Sequence, residues 1–182
     1  MKHKLLVILI VSILSVLSAC SIGDKKVTVE ASDEDITTTD ETYPELQKDE
    51  PKDKDTYDID YQANVDGVEI NLEKLFITKD AIGLKSSFIN NSEDNYSASP
   101  ATYSLKINSN EIVGSSDIIY FNDSDNLTME GRNTNYNSVS YWKLPNVDTK
   151  DIKTIDVQID LVRDSITLGS GIVQFNRRLK LE

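Results

Sequence analysis

Residues 155–161 read Ile155-Asp156-Val157-Gln158-Ile159-Asp160-Leu161. The apolar residues Ile155, Val157, Ile159 and Leu161 hold one parity, and Asp156, Gln158 and Asp160 hold the other. Successive side chains of a strand point to opposite faces, so this two-residue period predicts a strand with one face on a core and one toward solvent. The period recurs upstream in Ile59, Tyr61, Ala63 and Val65, and again in Val68, Ile70 and Leu72. Asp66-Gly67 lies between those two runs. It predicts a two-residue hairpin, because both central residues of such a turn need φ > 0. The parity then slips at Glu73-Lys74 before Leu75 and Ile77, which predicts a bulge, since one extra residue exchanges the two faces.

Further runs follow the same logic. After a turn at Lys79-Asp80 come Ile82, Leu84, Ser86 and Phe88, and later Tyr103, Leu105 and Ile107, closed by Asn108-Ser109-Asn110. Ile118 to Phe121 is apolar on both parities and is expected to be covered on both sides. Val139 and Tyr141 precede Trp142, and the last run carries Val173, Phe175, Leu179 and Leu181. A brief helical turn is expected near residues 149–153. About eight short strands with no long 3.6-residue period predict an all-β, antiparallel sandwich or barrel over residues 58–182. A domain of that length builds a core without disulfides or metal.

The first twenty residues have a different character. Lys2, His3 and Lys4 precede an apolar run from Leu5 to Leu17, broken only by Ser12 and Ser15. A membrane-spanning helix needs about 20 apolar residues, whereas a shorter run after a basic start matches a secretory signal peptide. The run ends in Leu17-Ser18-Ala19-Cys20, which resembles the bacterial lipobox. That resemblance implies cleavage between Ala19 and Cys20 and a diacylglycerol on the Cys20 thiol, with palmitate-type acyl chains. The expected product is a lipoprotein on the extracytoplasmic side of the cell membrane, anchored without spanning it.

Residues 21–57 hold twelve acids and five lysines, with Pro44 and Pro51. Low hydrophobicity and high charge predict a disordered acidic linker, averaging about 30–35 Å end to end. The chain therefore divides into a signal peptide (1–19), a lipidated cysteine with its tether (20–57) and a β domain (58–182). In outline that domain resembles the immunoglobulin-like domains of Gram-positive surface lipoproteins. The resemblance rests on an early strand pair, the turn Phe88-Ile89-Asn90-Asn91, and a late segment with Pro145, Asp151, Ile152, Ile155, Val157 and Ile159. It implies an immunoglobulin-like β-sandwich and no particular activity.

Composition excludes more chemistry than it offers. The 182 residues carry 19 Lys+Arg against 31 Asp+Glu, a net charge of -12. Such a balance provides no basic face for nucleic acid. The single His is His3 and the single Cys is Cys20, so the mature chain lacks the residues for His-based triads, thiol nucleophiles, ordinary zinc sites and His pH switches. Gly169-Ser170-Gly171 is too short to cradle a phosphate. A carboxylate pair of the glycosidase kind remains, but most acids lie on the solvent parity of strands, and neither enzyme activity nor a cofactor is expected. Asn122-Asp123-Ser124-Asp125-Asn126 reads as a polar loop. Its alternative reading is a Ca²⁺ site at Asp123 and Asp125, although Leu127 stands where an EF-hand needs a ligand.

Residues 90–101 and 122–138 are long for hairpin connections, and the second is expected to contain a short strand at Leu127 to Met129. Tyr96 and Tyr136 within them are expected to be exposed binding anchors, while Trp142 is expected in the core. Two functions follow as expectations. One is a non-catalytic module that binds a protein, peptide or cell-wall polymer. The other is a bacteriocin-immunity-type, envelope-protecting lipoprotein that intercepts cationic peptides, motivated by the acid excess.

Overall fold

The computed structural model describes residues 25–36, 45–122, 128–132, 134–144, 147–164 and 171–182. The strands are β1 (Val27–Ala31), β2 (Asp55–Val65), β3 (Val68–Ile77), β4 (Ala81–Asn90), β5 (Asn95–Ser97), β6 (Tyr103–Ile107), β7 (Glu111–Val113), β8 (Ile118–Phe121), β9 (Thr128–Met129), β10 (Thr134–Lys143), β11 (Thr154–Asp164) and β12 (Gly171–Leu181). One sheet runs β2-β3-β4-β10-β8. The other runs β1-β12-β11-β5-β9, with β6 beside β5 on β11 and β7 on β6. Neighbouring strands pair antiparallel throughout. The fold is the all-β sandwich expected from the two-residue period.

The apolar parities meet between the sheets. Val68, Ile70, Leu72, Leu84 and Phe88 come from one side, and Leu105, Ile155, Val157, Ile159, Leu161 and Phe175 from the other. Trp142 is fully buried and stacks on Tyr103 with ring centroids 5.9 Å apart. Asp66 and Gly67 take φ of 52° and 84° at the β2–β3 turn. The parity slip is a bulge: pairing shifts between Leu72 and Lys74 on β3 and between Asp58 and Tyr61 on β2, where Asp60 has φ 47°. The short strand expected near Met129 is β9, and the expected helical turn is a single 3₁₀ turn at Thr149–Asp151.

The reading of residues 20–57 as a disordered tether is corrected for its described parts, residues 25–36 and 45–57; residues 20–24 and 37–44 lie outside the described residues. Within the first part, β1 pairs with β12 from Val27–Leu181 to Ala31–Arg177. Residues 32–36 then cross the outer face of β11. The Ser32 hydroxyl donates to Asp156 (2.9 Å) and the Ile36 amide donates to the Gln158 side-chain oxygen (2.7 Å), while Ile36 itself is buried. Beyond residues 37–44, the chain crosses the outer face of the other sheet. There the Gln47 amide donates to the Ile119 carbonyl at the free edge of β8 (2.6 Å). The segment continues into β2, which begins at Asp55 rather than 58. The described parts of the acidic stretch, residues 25–36 and 45–57, lie as a belt on the two outer faces of the sandwich, and they cover strand edges that would otherwise template association.

Three further expectations change. The polar parity of β11 is not solvated: Asp156 and Gln158 are buried under the belt. On β10 the inward parity is Tyr136, Ser138, Ser140 and Trp142, so Tyr141 faces outward. β8 is only partly covered, with Ile118 buried and Ile119 to Phe121 half-buried.

Candidate functional site

The long connections around residues 90–101 and 122–138 meet at one end of the sandwich, beside the β2–β3 turn. Asn90 organises them. Its buried side-chain amide donates to the carbonyls of Asp94 (2.8 Å), Met129 (3.1 Å) and Glu130 (3.3 Å). Its oxygen accepts from the Ser92 amide (3.0 Å) and hydroxyl (2.8 Å). The Asn91 amide donates to the Gly67 carbonyl (2.9 Å), and the Arg132 amide donates to the Ser92 carbonyl (2.9 Å). The Asn90 side chain thereby ties the two long connections together, and the Asn91 backbone joins them to the β2–β3 turn. Asn90→Ala strands those buried groups, which cost about 1–3 kcal/mol each when unpaired but relax in part. The expected loss is about 2–4 kcal/mol, with faster amide exchange confined to residues 91–95 and 130–132. Denaturant melts and hydrogen exchange measure both.

Tyr96 and Tyr136 do not project as anchors. They retain 1% and 4% of their surface. The alternation that places Tyr96 on β5 also turns its ring inward, and Tyr136 packs on Phe88 with centroids 5.9 Å apart. The Tyr96 hydroxyl donates to Asp66 Oδ2 (2.7 Å), and Arg163 Nη1 donates to the same oxygen (2.8 Å). Burial, with Asp66 adding to it, pushes the Tyr96 phenol up to about 12. The exposed chemistry of this end is therefore charged: Glu93, Glu130 and Arg132 at the tips, with Arg132 bonded to Glu93 (2.8 Å). Asp123 and Asp125, like Ala19 and Cys20, lie outside the described residues.

A second cluster escaped the sequence reading. On the outer face of the β2-β3-β4-β10-β8 sheet, Phe76, Gly83, Tyr141 and Tyr120 form a row across four strands. Tyr141 stacks on Phe76 (5.7 Å) and meets Tyr120 edge-on (6.0 Å). The belt closes over this row: Lys54 sits 4.3 Å above the Phe76 ring, Lys54 pairs with Glu50, and the Tyr141 hydroxyl donates to Glu50 (2.8 Å). Burial alone raises the Glu50 carboxyl, but its bonds from Lys54 and Tyr141 outweigh that and hold it below the ordinary range. Burial drives the Tyr141 phenol up, and the Glu50 charge adds to the effect.

Gly83 makes this packing possible, because an added Cβ would stand 2.6 Å from Cδ1 and 2.8 Å from Cζ of Tyr141. Gly83→Ala should cost about 1–3 kcal/mol by overpacking. It should also raise the fluorescence and accessibility of Tyr141 as the ring lifts and the belt loosens.

On the other sheet Asp160 is half-buried beside Gln158, whose amide donates to it (3.2 Å). Burial raises its carboxyl above the ordinary 3.8, Asp35 adds to the rise, and Gln158 and Gln174 oppose it. A carboxyl raised in the folded state favours folding when protonated, so this residue's contribution falls as pH rises through its folded pKa. Asp160→Asn should accordingly raise Tm by about 1–2 °C at pH 7, and the gain should vanish below pH 3.8. Thermal melts across that range test the sign.

Among the described residues no group of three or more His, Cys, Asp or Glu is placed to hold a metal ion. No protein-family model matches the chain, and no curated protein matches it.

Proposed function

We propose that this chain is a lipid-anchored extracytoplasmic protein whose immunoglobulin-like sandwich is a non-catalytic binding module, with the loop end bearing Glu93, Glu130 and Arg132 as its binding surface. The observation that carries this reading is the locking of the two long connections through Asn90, with the β2–β3 turn joined to them by the Asn91 amide. Loops held rigid before a partner arrives lose little entropy on binding, which is how a scaffold presents recognition groups. The anchor rests on the lipobox at Leu17 to Cys20. The immunoglobulin-like reading is supported by the two antiparallel sheets and the tryptophan buried between them.

One observation favours a cationic partner. The turns and strand ends of the loop end carry Asp66, Glu69, Glu93, Asp94, Glu130 and Asp164 against Arg132 and Arg163. Such a surface steers positive peptides at low salt. The test is calorimetric titration of residues 20–182, with Cys20→Ser, against cationic peptides and soluble cell-wall polymer. Saturable binding weakened by Glu93→Lys with Glu130→Lys supports the reading, and binding unaffected by those changes sinks this surface. Intact-mass analysis of membrane fractions tests the anchor: Cys20 should carry the diacylglycerol adduct, and Cys20→Ser should release the chain.

A further inference from the structure

We propose that the end of the sandwich opposite the loop cluster lies against an anionic lipid surface, so that the loop cluster points away from the membrane. The inference rests on the anchored reading of Cys20 and replaces a long stalk with a short lead. Cys20 precedes Lys25 by five residues, and a chain spans at most about 3.3–3.6 Å per residue, or roughly 18 Å here. From Lys25 to Ile36 the backbone lies against the domain. Lys25 Nζ pairs with Asp55 (2.8 Å) and sits 5.2 Å above the Tyr57 ring, and Val27 pairs with Leu181. The described acidic residues of the stretch, Glu30 to Asp35 and Glu45 to Asp55, lie on the domain and not in a free stalk.

The surface brought close by this lead comprises the starts of β1 and β2, the β3–β4 turn, the β10–β11 connection and the end of β12. Pairing places these together: Asp55 lies opposite Ile77, Leu144 donates to the Asp80 carbonyl and Leu181 donates to the Lys153 carbonyl. Lys25, Lys26, Lys79, Lys143, Lys150 and Lys153 are all exposed there. An open groove of about 840 Å³ between them is lined by four lysines, Lys54, Lys79, Lys150 and Lys153, and by four acids. Among the described residues, Lys79, Lys143, Lys150 and Lys153 take part in no ion pair, so their ammonium groups are available to lipid phosphates.

Among the described residues, and counting Lys54 with its partner Glu50, seven lysines face nine acids at this end (Glu50, Asp53, Asp55, Asp80, Glu111, Asp117, Asp148, Asp151 and Glu182), a milder excess than the six acids against two arginines of the loop end. An anionic leaflet acts over about one Debye length, ~8 Å at physiological salt. Within that layer it repels the loop end more strongly, while the short lead keeps the opposite end near and Lys79, Lys143, Lys150 and Lys153 supply the contacts to lipid phosphate. The orientation places the loop cluster farther out by the length of β2, eleven residues, or about 35 Å at ~3.3 Å per residue.

The test couples residues 20–182 through Cys20 to thiol-reactive lipid in phosphatidylglycerol vesicles, with a fluorophore on an azide-bearing residue replacing Lys150 or Glu93 and an acceptor dye in the bilayer. Energy transfer should be several-fold stronger from position 150. The contrast should shrink in 0.5 M salt, in phosphatidylcholine vesicles, and with Lys79→Gln, Lys143→Gln and Lys153→Gln together. Equal transfer from both positions, or a contrast indifferent to salt, lipid and lysine removal, overturns the proposal. Because the coupling is chemical, this outcome is independent of whether cells acylate Cys20, which the mass analysis decides separately.

Discussion

A chain shortened to begin at Asp58 should lose most of its stability and aggregate, whereas a chain beginning at Lys25 should melt like the full mature protein. The shortened chain lacks β1, so β12 is left with an unpaired edge beside the exposed Ile172, a template for intermolecular pairing. It also lacks Ile36, a fully buried aliphatic residue, whose burial is worth about 1.5–3 kcal/mol. Gln158 loses the amide of Ile36 and Asp156 loses the hydroxyl of Ser32, and buried groups left unpaired cost about 1–3 kcal/mol each. On the opposite sheet, Phe76 and Tyr141 lose Glu50 and Lys54 as a cover. Release of the ordered belt returns conformational entropy and offsets part of this. A net loss of about 4 kcal/mol would still take a large share of the 5–15 kcal/mol typical of domains. Urea midpoints and light scattering on the two chains decide it. Equal midpoints would mean that the belt is dispensable and that residues 58–182 are the folding unit.

What the sequence made legible was local. The β11 alternation, the Asp66-Gly67 turn and the slip at Glu73 each depend on neighbours within a few residues, and each has the predicted geometry. What it concealed depends on distant partners. Val27-Thr28-Val29-Glu30 does alternate, and that was the available signal for β1, but five residues inside an acidic stretch do not outweigh its composition. Asp156 and Gln158 read as solvent-facing because the chain that buries them lies more than 120 residues away. Ser138 and Ser140 face the core while Val139 does not. Trp142 and Tyr136 set that parity, and adjacent aromatic residues at 141 and 142 made it ambiguous. The loop-end tyrosines failed as anchors for the same reason. A tyrosine in a long connection satisfies its hydroxyl from inside when an acceptor such as Asp66 is near, and no local pattern reports that neighbour.

Arg178→Ala on β12 should be the most damaging single substitution on the outer face of the β11–β12 pair, and its partner's removal should be milder. Arg178 clamps Asp156 with two bonds, Nε to Oδ1 (2.8 Å) and Nη2 to Oδ2 (2.9 Å). The pair is lopsided: the Asp156 side chain keeps 1% of its surface and Arg178 keeps 30%. Losing the arginine leaves a carboxylate enclosed with only the Ser32 hydroxyl, and an uncompensated buried charge costs about 3–5 kcal/mol. Losing the acid instead leaves a guanidinium that can reach water and Glu34, 3.8 Å away, so Asp156→Ala should cost about 1–2 kcal/mol, within the range for a lost charged hydrogen bond. The double variant should then match Asp156→Ala, because with no buried carboxylate the arginine has nothing left to neutralise. Arg178→Lys should rescue less than half the loss, since a single ammonium cannot reproduce the fork. The belt supplies a second readout. Glu34 is held by Lys106 at 2.6 Å and shares the Arg178 field, and Ile36 follows two residues later. Exchange at the Ile36 amide should therefore accelerate in Arg178→Ala before global unfolding. Urea midpoints for the four chains measure the cycle. A loss below about 0.5 kcal/mol for Arg178→Ala, or equal losses for the two single variants, would show that Asp156 is solvated in the folded protein and that the belt does not seal this face.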